Sequence, residues 1–217
     1  MKKVYPVCSR IIFPLINKIF IKEIIGLDNL PKKGPYIIAA NHQSYIDPFL
    51  IAIRIVTIIN RKIYFISTVN FFYKLCGKTL AEKWAKCIPL TDDSKKETLE
   101  HALNILKEGK IVGVHPEGTF DKSSSKELKY GKTGAARLAL WAEVPIVPIG
   151  IINSDKILPV GSFLVRPKKA IIKIGKPLYF NEYYNKKITK KLLVSITARM
   201  MKEIGKLADK GYNPKNK

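Results

Sequence analysis

Of the three histidines in the sequence, one sits where an imidazole can work as a base. His42 lies in the run Asn41-His42-Gln43-Ser44-Tyr45-Ile46-Asp47, directly after the apolar stretch Tyr36 to Ala40. That stretch reads as a short buried strand, and open α/β folds collect ligands at the carboxyl ends of their strands. An imidazole exchanges protons near neutral pH. It does so better when a carboxylate holds one ring nitrogen protonated and leaves the other free. Asp47 is the local carboxylate. On a regular helix a five-residue step turns about 500°, leaving the two side chains ~140° apart. The pair can therefore meet only if the segment is not one continuous helix. Asp47-Pro48 offers the break, as an N-cap followed by proline at the first helical position, with His42 in the preceding loop. The alternative is that Asp47 only caps the helix and His42 only hydrogen-bonds the loop.

A second polar run, His115-Pro116-Glu117-Gly118-Thr119, also follows an apolar strand, Lys110 to Val114. Two such loops can converge on one crevice. Glu117 can bind a hydroxyl-bearing or cationic group, and backbone N–H groups near Gly118 can receive a phosphate or an oxyanion. The alternative is a solvent turn, for which Pro-Glu-Gly is ordinary composition. His115 is ambiguous, and His101, beside Glu97 and Glu100, reads as solvated. Gly131-Lys132-Thr133 resembles the end of a phosphate-binding P-loop. The earlier glycine that motif requires is Lys126 here, so the nucleotide reading fails.

The elements that must position these loops read as follows. Strands are expected at Phe20 to Ile25, Tyr36 to Ala40, Lys62 to Ser67, Lys110 to Val114 and Ala170 to Ile174. Val144 to Ile152 is a further strand, at an edge or bulged because it contains Pro145 and Pro148. Helices are expected at Pro48 to Ile59, Ser94 to Gly109, Gly131 to Ala142 and Ile188 to Leu207. Ser94 with Glu97 forms a capping box for the second of these. Helices alternate with continuously apolar strands. The fold class is therefore α/β, a single domain with a mostly buried mixed sheet flanked by helices. The division is an N-terminal segment, 1–20, a domain, 21–211, and a polar tail, 212–217.

The chain carries 39 Lys plus Arg against 17 Asp plus Glu, a formal charge of +22 that calls for an anionic neighbour. The basic residues are dispersed, without an arginine-rich block or an aromatic-glycine run, which argues against nucleic acid. Three cysteines, Cys8, Cys76 and Cys87, without a CxxC pair, suggest neither a disulfide framework nor a zinc site, and fit a reducing compartment. From about Val4 to Phe20 an amphipathic helix is expected, with Ile11, Ile12, Leu15, Ile16 and Ile19 on one face and Pro14 kinking or dividing it. It either lies in a membrane surface or packs on the core. No apolar run is long enough for an ordinary transmembrane helix.

Together the two loops resemble the glycerolipid acyltransferases, and in particular the bacterial-type 1-acyl-glycerol-3-phosphate acyltransferases. His42 to Asp47 matches their HxxxxD block, Pro116-Glu117-Gly118-Thr119 their PEGT block, and Gly131 to Leu140 and Val144-Pro145-Ile146-Val147-Pro148 follow in the family's order. The similarity runs from about Leu27 to Ile152. The resemblance implies that His42 takes the proton of an acceptor hydroxyl and that Asp47 orients the imidazole. The hydroxyl then attacks the thioester of acyl-CoA or acyl carrier protein, with no covalent acyl-enzyme, no cofactor and no metal. The acceptor it implies is the sn-2 hydroxyl of 1-acyl-glycerol-3-phosphate, the product being phosphatidic acid. The expected substrate-binding residues are Asn41, Ser44, Glu117, Gly118, Thr119 and Lys132. The expected location is the cytoplasmic face of the cell membrane, on an anionic lipid surface.

Two positions depart from the family pattern. Phe120 follows PEGT where the family has arginine, and Thr91 and Asp92 follow Ile88-Pro89-Leu90 where a second arginine is usual. Both arginines are associated with the acceptor phosphate, and losing a planar bidentate ligand is not neutral. Lys122, Lys95, Lys96, Lys132 and Arg137 are candidate replacements. The same chemistry on another lipid or glycerol-phosphate acceptor, and a non-catalytic protein that binds anionic membrane surfaces, are the competing readings.

Overall fold

The computed structural model describes residues 5, 10–68, 87–90, 95–120 and 125–214. The expected cap Ser94, positions Thr91 and Asp92, the stand-in cation Lys122, and Cys8 and Cys76 lie outside them. In chain order the elements are α1 (Ile12–Phe20), β1 (Ile21–Ile25), β2 (Tyr36–Ala40), α2 (Asp47–Ile59), β3 (Ile63–Thr68) and β4 (Ile88–Leu90). They continue with α3 (Lys95–Lys107), β5 (Ile111–Val114), α4 (Gly134–Ala142), β6 (Ile146–Ile152), α5 (Ser154–Ile157), β7 (Ala170–Ile174) and α6 (Lys190–Leu207). The short strand β4 and helix α5 carry no periodicity that the sequence could display, and were not expected.

The strands form one seven-stranded sheet in the order β1-β7-β6-β2-β5-β3-β4. The five from β6 to β4 are mutually parallel, while β7 runs antiparallel to β6 and β1 parallel to β7. Period-two alternation sorts side chains onto two faces. Ile37, Ala39, Val112, Val114 and Ile146 meet α3, α4 and α6 on one face. Tyr36, Ile38, Ala40, Val147, Ile149 and Ile151 meet α2 on the other. Both faces are covered, which is why these strands read as unbroken apolar runs. Leu50, Ile51 and Ile55 anchor α2 to the sheet. At about 1.5–3 kcal/mol for each buried side chain, they fix the helix that begins at Asp47.

The paired prolines do not put β6 at an edge: it lies between β2 and β7. Nor is β6 itself the bulged strand, because the irregularity lies in its partner. Pairing is Ile149↔Ile174 in the ladder but Ile146↔Leu178 beyond it, so one extra residue intervenes on the partner segment. Pro148 falls within that slip, and its carbonyl still accepts from Gly175 N–H at 2.9 Å. Gly150 is required for a different reason. A Cβ there would lie 2.3 Å from the Leu207 carbonyl carbon, so only glycine lets the end of α6 rest on β6.

Other boundaries shift by small amounts with physical causes. Thr189 caps α6, accepting from Leu192 N–H at 3.2 Å, so the helix starts at Lys190 rather than Ile188. Arg10 is helical and Ile11 is a turn, so Pro14 stands in the first turn of α1. The ring of a proline collides with the carbonyl four residues back, here Arg10, and the helix divides there. Helix α1 rests against α2 and β1, and Phe13 is its buried residue. Ile11, Ile12, Leu15 and Ile19 remain exposed.

Candidate active site

The ends of β2 and β5 are adjacent, with Ala39 paired to Val114, so the loops that follow leave the sheet side by side. In the first loop the chain folds back as the spacing demanded. Helix α2 takes Ile46 as its N-cap, one residue earlier than expected, and no side chain caps it. The Asp47 carboxylate instead turns towards the loop. His42 Nδ1 donates to Asp47 Oδ2 at 3.0 Å, and the N–H groups of Gln43 and Ser44 donate to the same oxygen at 2.7 and 2.8 Å. Asp47 is fully buried. Burial pushes its pKa up, but the hydrogen bond and charge of His42 outweigh that and hold the carboxyl below its ordinary value. An ionised partner at Nδ1 keeps that nitrogen protonated, leaving Nε2 to accept a proton.

The second loop makes a turn in which Gly118 N–H donates to the His115 carbonyl at 3.0 Å. That N–H is thereby occupied, so an anion near Gly118 would have to be met by other N–H groups of the turn. The His115 ring stacks on His42, centroids 3.9 Å apart and planes 9° apart. His115 Nδ1 faces the carbonyls of Ala40 and Asn41 at 3.0 and 3.1 Å, so it carries the proton. Burial, then the nearby His42, push the His115 pKa down to about 3. It is a neutral ring. Phe120 also packs on His42, centroids 4.1 Å and planes 42° apart, and is itself met by Tyr45 at 4.4 Å. The His42 imidazole thus has two ring neighbours, one stacked and one tilted. Sequence reasoning left His115 undecided and treated Phe120 only as a missing cation. The signal that could have found His115 was its place one residue past the end of β5, opposite the loop bearing His42.

His42 lines a crevice of ≈ 440 Å³ whose described walls are largely apolar, including Pro48, Ile66, Leu90, Leu99 and Phe120. Gly118, Thr119 and Lys132 also line it, as do Lys95 and the first turn of α4. Gly118 has a φ of +67°, and a Cβ there would lie 2.5 Å from Lys132 Nζ. Glycine therefore both makes the turn and lets the lysine lie across it. Lys132 N–H donates to the Pro116 carbonyl at 2.8 Å, tying that cation to the loop. Of the other candidate cations, Arg137 lies over the Trp141 ring and Lys96 faces Glu100 on the helix surface.

Three residues expected to bind substrate, Asn41, Ser44 and Glu117, do not line the crevice. Asn41 exchanges hydrogen bonds with the Ile151 backbone, giving from Nδ2 at 2.9 Å and accepting at Oδ1 from N–H at 2.7 Å. The Ser44 hydroxyl donates to the Leu158 carbonyl at 2.5 Å. Glu117, also buried, accepts from His42 N–H at 2.9 Å and Lys129 N–H at 3.0 Å, one on each oxygen. These polar atoms hold the scaffold, and Glu117 physically joins the two loops. Among the described residues no group of three His, Cys, Asp or Glu side chains could hold a metal ion.

A mixed α/β sheet that holds a carboxylate-bonded imidazole at an apolar crevice is an arrangement suited to proton transfer. Comparison with known proteins narrows this. The profile of the Acyltransferase family matches residues 22–152, and the chain belongs to that family. It is 31% identical over 158 residues to a 1-acyl-sn-glycerol-3-phosphate acyltransferase of Saccharomyces cerevisiae, covering 70% of this chain and 48% of the relative. It is 24% identical over 190 residues to a Bacillus subtilis protein of the same name, covering 87% and 88%. The chain spans about half the length of the yeast protein and of the Brassica napus relative. Its fold is similar to the crystal structure of the 1-acyl-sn-glycerophosphate acyltransferase PlsC from Thermotoga maritima. The TM-score is 0.62 at 21% identity, covering 94% of this chain and 84% of that one.

Proposed function

We propose that the protein transfers a fatty acyl group from acyl-CoA or acyl carrier protein to the sn-2 hydroxyl of 1-acyl-glycerol-3-phosphate, giving phosphatidic acid. The observation that carries this is the His42–Asp47 pair, 3.0 Å apart at the wall of an apolar crevice. Membership of the family and the names of the similar proteins support the reaction class. His42 Nε2 takes the proton as the acceptor oxygen attacks the thioester carbonyl. The new C–O bond forms, the C–S bond breaks, and the imidazolium returns the proton to the departing thiolate. Asp47 stabilises the transient imidazolium. His115 and Phe120 fix the ring plane, so the base reaches the hydroxyl without a search over rotamers.

Lys132 lying over Gly118, beside the N-terminal turn of α4, is the cationic corner for the acceptor phosphate. Asn41, Ser44 and Glu117 serve the substrate indirectly, by holding the loops. A second reading keeps the chemistry and changes the acceptor. It is favoured by Phe120, which packs on His42 where the resemblance calls for arginine. The protein would work as a peripheral membrane enzyme on the cytoplasmic face of the cell membrane. The exposed stripe of α1 supports that placement, and no helix among the described residues is long and apolar enough to cross a membrane.

The test is an acyl-transfer assay pairing both donor types with acceptors that carry or lack a phosphate. Removing a general base removes about 10²–10⁴-fold in rate. His42→Ala is expected to lose activity on that scale, and equal turnover by both proteins would overturn the proposal. A strong preference for lysophosphatidate supports the first acceptor, and indifference to the phosphate supports the second.

A further inference from the structure

A second apolar feature stands apart from α1 in sequence. Between α5 and β7 the chain projects a loop whose tip, Phe163-Leu164-Val165, is exposed by 86%, 71% and 47%. Leaving two large apolar side chains in water at adjacent positions calls for an explanation. The loop is built to hold them out. Ser162 N–H donates to the Pro159 carbonyl at 3.0 Å across a turn with Gly161 at φ +88°, and Leu164 N–H donates to Ser162 Oγ at 3.1 Å. Arg166 N–H donates to the Ile157 carbonyl at 2.8 Å and closes the base. Directly behind the tip come three exposed cations, Arg166, Lys168 and Lys169.

Sheet topology places this loop relative to α1 and to the crevice. Strands β1 and β7 are parallel, with Ile21 paired to Ala170. Helix α1 runs directly into Ile21 and the loop directly into Ala170, so both reach the sheet at the same end. Because β7 is antiparallel to β6, with Ile171 opposite Ile152, that end is the carboxyl end of β6 and its parallel neighbour β2. It is therefore the end that carries His42. The base of the loop even holds the His42 segment, through the Leu158 carbonyl that receives the Ser44 hydroxyl.

We infer that the loop 159–169 is a second bilayer contact, with Phe163, Leu164 and Val165 entering the acyl region and Arg166, Lys168 and Lys169 meeting anionic lipid phosphates. The inference rests on the peripheral membrane placement proposed above and deepens it. One helix lying in a surface leaves the domain free to roll about the helix axis. A second contact removes that freedom and sets the crevice against the lipid. Apolar tip followed by cations is the order in which a bilayer is met from outside, and it is not the composition of an interface core between protein copies, from which charge is depleted.

The experiment uses the full chain and vesicles of phosphatidylcholine with phosphatidylglycerol. A Phe163→Trp variant is read by emission against the wild-type background of Trp84 and Trp141. A blue shift on vesicle addition, with quenching by lipids brominated on the acyl chain, is expected. Paired Phe163→Asp and Leu164→Asp substitutions are expected to lower vesicle partitioning about tenfold or more, while turnover of a water-soluble short-chain acceptor is unchanged. If the protein sediments with vesicles but the probe neither shifts nor is quenched, the loop contact is overturned and the membrane placement stands. If the wild type does not bind vesicles at all, both fall. If the paired substitutions dissolve a dimer seen without lipid, the occupant is a second copy and the inference is overturned.

Discussion

The loops that follow β2 and β5 carry the same inventory, one histidine and one buried carboxylate, and divide it in opposite ways. In the first, Asp47 faces the imidazole of its own loop, and the pair is the acid–base unit proposed above. In the second, His115 gives its proton to two backbone carbonyls, and Glu117 turns away to the N–H groups of His42 and Lys129. The acceptor set alone decides what each histidine can do. A carboxylate rewards the imidazolium, whereas carbonyls in a buried site fix a neutral tautomer. Two carboxylates differ in the same manner. Asp47 bears on the charge of a ring, and Glu117 on the position of two backbone N–H groups.

That division is open to direct attack through the carboxylates. Asp47→Asn keeps the volume and removes the charge that stabilises the imidazolium. A loss of about 10⁴-fold in kcat is expected, the scale found for other histidine bases deprived of their carboxylate. Glu117→Gln leaves His42 and Asp47 in contact but offers an N–H where Lys129 or His42 needs an acceptor. A buried donor left unsatisfied costs about 1–3 kcal/mol. Urea unfolding should record that loss, while kcat/KM at the optimum falls only about tenfold. The pH dependence of the surviving activity should match the wild type. A Glu117→Gln profile displaced along the pH axis would mean that this carboxylate acts on the base itself, and the contrast between the loops would fail.

Much of this was legible beforehand. The fold class, the two loops, their common sheet end and the need for a break before Pro48 all follow from apolar periodicity and from the angle between positions 42 and 47. What escaped depends on contacts that leave no periodic trace. The place of β6 inside the sheet was hidden because one extra residue opposite Pro148 is a property of its partner, the segment 174–178. The scaffold roles of Asn41, Ser44 and Glu117 were hidden because their partners, Ile151, Leu158 and Lys129, are supplied by distant or irregular segments. A motif marks which polar residues matter without marking whether they face a ligand or a backbone. Phe120 shows the reverse. Its departure from the family pattern was plain, yet only the structure shows the ring lying against His42.

His115 offers the finest test of the comparison. The unfolded ring, with an ordinary value near 6.5, takes up a proton that the folded ring refuses down to about 3. The folded state therefore binds fewer protons in that window. Stability present above about 6.5 is lost as the pH falls, by up to about 1.4 kcal/mol for each pH unit. His115→Phe keeps a flat ring against His42 and removes this titration. Urea unfolding between pH 6.5 and 4.5 should show a shallower decline in the variant, even if the lost hydrogen bonds to Ala40 and Asn41 lower its stability at pH 8. Its kcat/KM at pH 8 should stay within about tenfold of wild type, since the ring supplies packing rather than a proton. Should the variant lose as much activity as Asp47→Asn, with the ascending limb of the rate profile gone, the neutral ring would have to be the base. The roles assigned to the two loops would then be exchanged.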